Sequence, residues 1–227
     1  MSLVYLIRHG QASAHAADYD QLSPLGYTQS KALQKCCTDK TSIDHVWIGP
    51  RKRHRQTYEE AMFPHWPTPI MKPWLDEFPA HEIMEQGMPT LKGTPLQEHV
   101  ERIQKQVGTG GPDYLVVLQH LCDEWIEGKL VLQDVESGTA YLERIKHGVS
   151  EIKKELALGK NIVVFSSAGA ISSLVGESQH AHPKLALRNA WAVYNAAISV
   201  LRIHKKELMM ASFNWIEHVT ESQRTFV

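Results

Sequence analysis

Arg8-His9-Gly10-Gln11 follow a run of five apolar or aromatic residues, Leu3-Val4-Tyr5-Leu6-Ile7. That order reads as a buried strand ending in a sharp turn. Arg8 presents a rigid fork of donors suited to a phosphate or carboxylate, and a neutral His9 imidazole can act as a nucleophile. Three further clusters could share this chemistry. Arg51-Lys52-Arg53-His54-Arg55 stand at an expected helix start, where backbone N–H groups and the helix dipole also favour anions, and Arg53 is expected to face inward. Leu75-Asp76-Glu77 set two carboxylates after a proline-rich approach. Phe165-Ser166-Ser167-Ala168-Gly169-Ala170 read as a strand leading into a tight small-residue turn that lets a ligand come close. Each has a plain alternative: a solvated turn, a basic face or nucleic-acid patch, a surface acid pair, and simple helix–sheet packing. Their joint presence favours an anion site.

Open α/β sheets hold ligands at the carboxyl ends of their strands, so the clusters ask for strands just before them. Residues 3–7, 43–48 and 161–166 supply such runs. Ser23-Pro24 is a helix start, a capping serine with proline behind it, for a helix expected to reach Cys37. A second helix is expected through Ala61. Residues 62–93 contain six prolines from Pro64 to Pro89 and read as mostly loop with short pieces of structure. Helices are then expected from Thr94-Pro95 to the glycines at 108–111, over 113–127 and over 139–158. Residues 197–203 and 207–213 alternate around His204-Lys205-Lys206 and predict a final antiparallel hairpin. The order predicts an α/β fold, a three-layer α/β/α sandwich with a mostly parallel central sheet. It forms a single domain over 1–227, with an inserted cap at about 78–138 that is expected to cover the site.

The composition narrows the classes. At 227 residues the chain can bury one sizeable core, and 43% hydrophobic with 22% charged residues is ordinary for a soluble protein. A net charge of −1 leaves no basic excess for nucleic-acid binding by counterion release. No apolar run is long enough to span a bilayer. Three cysteines, with Cys36 and Cys37 adjacent and Cys122 distant, read as reduced thiols. Because the chain starts directly on a core strand, no signal peptide is expected, and a cytoplasmic location follows.

Together the four clusters resemble the histidine phosphatase superfamily, the phosphoglycerate-mutase-like proteins, over nearly the whole chain apart from the insertion. Arg8-His9-Gly10-Gln11 is similar to that family's nucleophile motif, which implies a phosphorylated His9 with Arg8 and Gln11 at the phosphate. Leu22-Ser23-Pro24-Leu25-Gly26 followed by Gln29 is similar to its leucine-serine/threonine-x-leucine-glycine-x-x-glutamine signature. Arg53-His54-Arg55-Gln56-Thr57 resembles its arginine-x-arginine-glutamine-threonine segment and implies that Arg53 is the second phosphate arginine. Glu77 falls where the family carries its general acid. The resemblance implies phosphoryl transfer through phosphohistidine, with a small phosphorylated substrate, no cofactor and no metal.

One departure matters. Where the family has serine-histidine-glycine-glycine, this chain reads Ser166-Ser167-Ala168-Gly169. Ser167 therefore replaces a histidine that donates to the phosphoryl group. Some members resemble this chain in carrying serine there, with a C-terminal segment like Asn214-Trp215-Ile216-Glu217-His218. Losing one preorganised donor costs about a hundred- to a thousandfold in rate. Slow turnover is expected unless another residue compensates. His218 is one candidate, with a surface or packing histidine as its plain alternative. A Ser167→His variant separates the two, a rise in rate marking the missing donor as limiting and no change pointing to His218. A phosphoglycerate-type mutase is a second reading, and the missing histidine counts against it. A weakly active or non-catalytic binder of a phosphorylated ligand or a partner is a third, and the retained Glu77 counts against that. A metal hydrolase on His180-x-His182 lacks a carboxylate at ligand spacing, so that pair reads as two surface histidines.

Overall fold

A computed structural model of the chain describes residues 2–13, 20–36, 42–61, 63, 65–105 and 111–226. Six strands form one sheet: β1 (Leu3–Arg8), β2 (His45–Ile48), β3 (Ile70–Met71), β4 (Ile162–Ser166), β5 (Ile198–His204) and β6 (Glu207–Trp215). Their order is β3-β2-β4-β1-β5-β6. The pairs β1–β4, β2–β4 and β2–β3 are parallel, and β5 runs antiparallel to β1 and to β6. The chain leaves β1 toward β2 on one side and leaves β4 toward β5 on the other. Connections departing in opposite directions open a crevice at the carboxyl ends of the two adjacent strands. The register brings the strand ends level there, with Arg8 opposite Ser166 and Ile48 opposite Phe165.

Alternation along the strands gives the sheet two apolar faces. Ile7, Val46, Ile48, Val163, Phe165 and Ile198 share a core with Leu33 and with Ala61 of α2 (Lys52–Ala61). On the other face Trp47 meets the edge of Trp74 at 5.9 Å, and the Trp74 ring lies over Gly148, where a Cβ would come within 2.4 Å. Gly148 belongs to α6 (Gly138–Ala157), so helices cover both faces and the three layers are present. Each fully buried Leu, Ile or Phe is worth about 1.5–3 kcal/mol, which makes this sheet a rigid base for side chains at its edge.

The chain forms two compact units, Met1–Glu77 with Ile145–Val227, and Phe78–Arg144. The second unit contains α3 (Ala80–Gly87), α4 (Gln97–Lys105), α5 (Pro112–Ile126) and the start of α6. Phe78, Trp125 and Tyr141 form its aromatic centre, with ring centroids 5.3–6.4 Å apart. Trp125 Nε1 donates to the Glu136 carbonyl at 3.0 Å. Among the described residues no helix is long and apolar enough to cross a membrane.

The elements depart from the expected ones in three places. The helix that begins at Pro24, α1 (Pro24–Ala32), stops five residues early and continues as one 3-10 turn over Leu33–Lys35, while Cys37 lies outside the described residues. Residues 62–93 hold more helix than their prolines imply. Pro79 and Pro89 sit at the starts of α3 and of a 3-10 turn, where a missing N–H breaks no helical bond. Pro183 likewise opens α8 (Pro183–Arg188), whose first turn His182 caps through Lys184 N–H, an element absent from the sequence reading. The hairpin forms as expected. Lys205 and Lys206 both take positive φ, 48° and 68°, as a tight two-residue turn between right-twisted strands requires.

Candidate active site

His9 follows directly after β1, and its ring is held at both nitrogens. Nδ1 lies 2.6 Å from the Gly10 carbonyl, an acceptor, so Nδ1 carries the hydrogen and Nε2 the lone pair. Arg53 Nε–H donates to that lone pair at 3.0 Å. The main chain is fixed as well: His9 N–H donates to Ser166, and Ala196 N–H and Asn195 Nδ2 donate to the His9 carbonyl. Arg8 Nη1 donates to the Val193 carbonyl. A Cβ on Gly10 would come within 2.4 Å of the Gly26 carbonyl, so the turn after β1 packs directly on α1.

Arg53 is the hub. From α2 it reaches His9 through Nε, Asp20 Oδ1 through Nη1 at 2.8 Å and Ser167 Oγ through Nη2 at 3.4 Å. Asp20 in turn accepts from Lys52 N–H at the start of the same helix. Ser167 stands between β4 and α7 (Ala168–Ser178), and its Oγ is 2.7 Å from His54 Nε2. The His54 and His9 ring centroids are 5.7 Å apart. None of Arg8, His9, Arg53, His54, Ser166 and Ser167 is more than 8% exposed.

Glu77 reaches the same strand ends by another route. Ser166 Oγ donates to the Leu75 carbonyl at 2.7 Å and ties the 73–77 segment to β4. Arg51 holds Asp76 at 2.5 Å, and Asp76 accepts the Glu77 N–H. The Glu77 carboxylate accepts Gly169 N–H at 3.2 Å, at the positive end of α7.

Of the sequence-predicted residues, His9, Arg53 and Ser167 are thus joined by contacts, Arg8 is close enough to act on the His9 charge, and the Glu77 carboxylate accepts from Gly169 on the helix that Ser167 opens. Gln11 stands on the α1 side: its Oε1 accepts from Ser23 Oγ and its N–H donates to Gln29. Gln29 and Thr57 are scaffold, Gln29 bonding the C-terminal segment at Gln223 and Thr57 Oγ1 accepting Gly10 N–H. His218 is not brought to these side chains; its Nε2 bonds the Ala196 carbonyl and its ring lies on Trp215. His54 and Asp20 were missed. His54 is detectable as part of a helical stripe with Arg53, Thr57 and Ala61, all four buried on α2. A histidine at 167 would have to share the space next to His54, whose Nε2 lies 2.7 Å from Ser167 Oγ.

The electrostatics favour a neutral nucleophile. Burial holds the His9 pKa well below its usual value, with Arg53, Arg8 and His54 adding to it and the Gly10 carbonyl opposing. Burial also lowers His54 and takes His218 down to about 4. The unfolded chain gains these protons near pH 6.5 and the folded chain only lower, so stability is full above that pH and lost as pH falls through the gap. Each histidine contributes a slope of roughly 1.4 kcal/mol per pH unit within its window. The urea midpoint is therefore expected to drop between pH 7 and 5, above the range where carboxylates titrate. An unchanged midpoint over that interval would contradict neutral burial of the three rings.

The sequence model of the histidine phosphatase superfamily (branch 1) matches residues 4–109 and 116–216. Among solved structures, the α-ribazole phosphatase from Shigella flexneri superposes with a TM-score of 0.63 at 18% identity, covering 93% of this chain and 96% of that one. A mycobacterial glucosyl-3-phosphoglycerate phosphatase in complex with inorganic phosphate gives 0.63 at 18% identity, covering 97% and 100%. The phosphoglycerate mutase from Bacillus anthracis gives 0.61 at 14%, covering 96% and 94%. At these identities the likeness establishes the fold. No curated protein sequence matches the chain significantly.

Proposed function

The chain belongs to the histidine phosphatase superfamily, and from that premise we propose that it hydrolyses a phosphomonoester through a phosphohistidine on His9. The observation that carries this reading is the orientation of His9, with Nδ1 on the Gly10 carbonyl and the Nε2 lone pair aimed at Arg53. A phosphoryl group bound by Arg8 and Arg53 would meet that lone pair. Attack by Nε2 forms the P–N bond as the P–O bond to the leaving group breaks, and Glu77 gives its proton to the departing oxygen. Glu77, now ionised, takes a proton from water, whose oxygen forms a new P–O bond as the P–N bond breaks. Phosphate leaves and His9 returns neutral. Positioning and charge neutralisation supply the catalysis, with no metal in any step.

Hydrolysis of an aryl phosphate in the presence of a metal chelator, with His9→Ala as control, tests the reading. Turnover that appears only with added divalent metal would contradict it. Arg53→Ala should weaken inorganic phosphate binding about tenfold or more, since a charge-assisted donor to the phosphoryl oxygens is lost. Equal dissociation constants for the variant and the parent would remove Arg53 from the phosphate site.

A further inference from the structure

His54 has no task in that mechanism, yet the fold makes a place for it. Its ring is 0% exposed, and a Cβ on Gly49 would come within 2.3 Å of Nδ1, so only glycine leaves room there. Nδ1 faces the Gly49 backbone without a hydrogen bond of good geometry, and Nε2, 2.7 Å from Ser167 Oγ, is the anchored nitrogen. A ring wanted only for its volume would not need nitrogens. Burying one beside two arginines carries a cost that calls for a return elsewhere.

We propose that His54 is a positioning residue for phosphoryl transfer, its Nε2 setting whether the Ser167 hydroxyl donates to the phosphoryl group held at Arg53 and His9. The inference rests on the phosphatase reading. Ser167 has one hydrogen and two lone pairs. Arg53 Nη2 donates toward one of those lone pairs. When Nε2 is bare, it takes the Ser167 hydrogen and no donor is left for an anion. When Nε2 carries a hydrogen, it donates to the second lone pair and turns the Ser167 hydrogen outward. The histidine–serine pair then presents the donor that serine at 167 could not guarantee alone.

The groups facing His54 decide which form is available. Burial of the ring, Arg53 from its own helix and Arg51 at the start of that helix disfavour a cation, and the Gly49 backbone opposes them. His9, on the turn after β1, is itself held neutral. The change is therefore between neutral tautomers: one proton moves from Nδ1 to Nε2, and none is gained overall. A bound dianion draws the Ser167 hydrogen toward itself and so selects the Nε2–H form.

His54→Phe keeps the ring and removes both nitrogens, and a melting curve reports its fold. Its kcat on an aryl phosphate should fall about tenfold or more, less than for a donor in direct contact. His54→Gln, whose amide can donate to Ser167, should recover part of the loss. In ¹⁵N-histidine spectra of the wild-type protein, the signal missing from His54→Phe should move toward the Nε2–H form when inorganic phosphate is added. Should His54→Phe fail to fold, His54→Gln supplies the assignment and the rate comparison. A folded His54→Phe with wild-type kcat, or a His54 signal unmoved by phosphate, overturns the proposal. A wild-type protein without His9-dependent turnover overturns the phosphatase reading instead, and the phosphate response of the His54 signal then decides the inference alone.

Discussion

His9→Ala is expected to lower kcat for a phosphomonoester by about a thousandfold or more, the scale seen when a catalytic nucleophile is removed. Among the described residues, neither His54 nor His218 is turned to take over in-line attack. The His54 Nε2 is turned to Ser167, and His218 is bonded to the Ala196 carbonyl. The loss should fall on kcat, because Arg8 and Arg53 remain to bind the phosphoryl group, and relief of crowding could even tighten phosphate. Two measurements separate a lost nucleophile from a lost fold. Rapid quench of the wild-type protein at alkaline pH should reveal a phosphorylated His9 peptide, absent from the variant. A substrate chiral at phosphorus should give retained configuration, since two in-line displacements cancel and a single one inverts. Inversion, or a variant with a tenth of the parent activity, would remove His9 from the covalent role.

The frame of this site is legible in the sequence because each part of it is local. A run such as Leu3 to Ile7 fixes a buried strand, and the turn residues behind it must lie at its carboxyl end. The same holds for Ile162–Ser166 and the small residues after it. Glu77 is legible only through the family resemblance, since by itself the Asp76-Glu77 pair reads as a surface acid pair. What escapes is contact between distant side chains. Asp20 lies 33 residues from Arg53, and no spacing rule joins them. His54 escapes for a related reason: in a run of five basic residues the arginines draw attention, and the histidine among them reads as one more polar side chain. Its helical spacing with Arg53, Thr57 and Ala61 is the one signal that turns residue 54 inward with 53. For His218 the sequence leaves two readings open, a compensating donor or a surface or packing residue, and only the fold shows it buried with its ring on Trp215.

Glu77→Gln should divide substrates by their leaving groups. With an alkyl phosphate the departing alkoxide needs a proton as the P–O bond breaks, and removing a general acid costs about a hundred- to ten-thousandfold. A nitrophenolate leaves without one, so phosphorylation of His9 by a nitrophenyl phosphate should proceed nearly at the parent rate. Hydrolysis of the phosphohistidine still requires the carboxylate to take a proton from water. The variant should therefore release a burst of nitrophenol, stoichiometric with protein, followed by slow turnover, whereas the alkyl ester gives no burst. The geometry supports this division of labour. Gly169 N–H at the start of α7 and the Asp76–Arg51 pair hold Glu77 in place, and neither bond reaches His9, so the substitution leaves the nucleophile undisturbed. Stopped-flow absorbance on the nitrophenyl ester and phosphate release from the alkyl ester measure the two limbs. A burst lost together with steady-state turnover would mean that Glu77 positions the phosphoryl group rather than moving a proton.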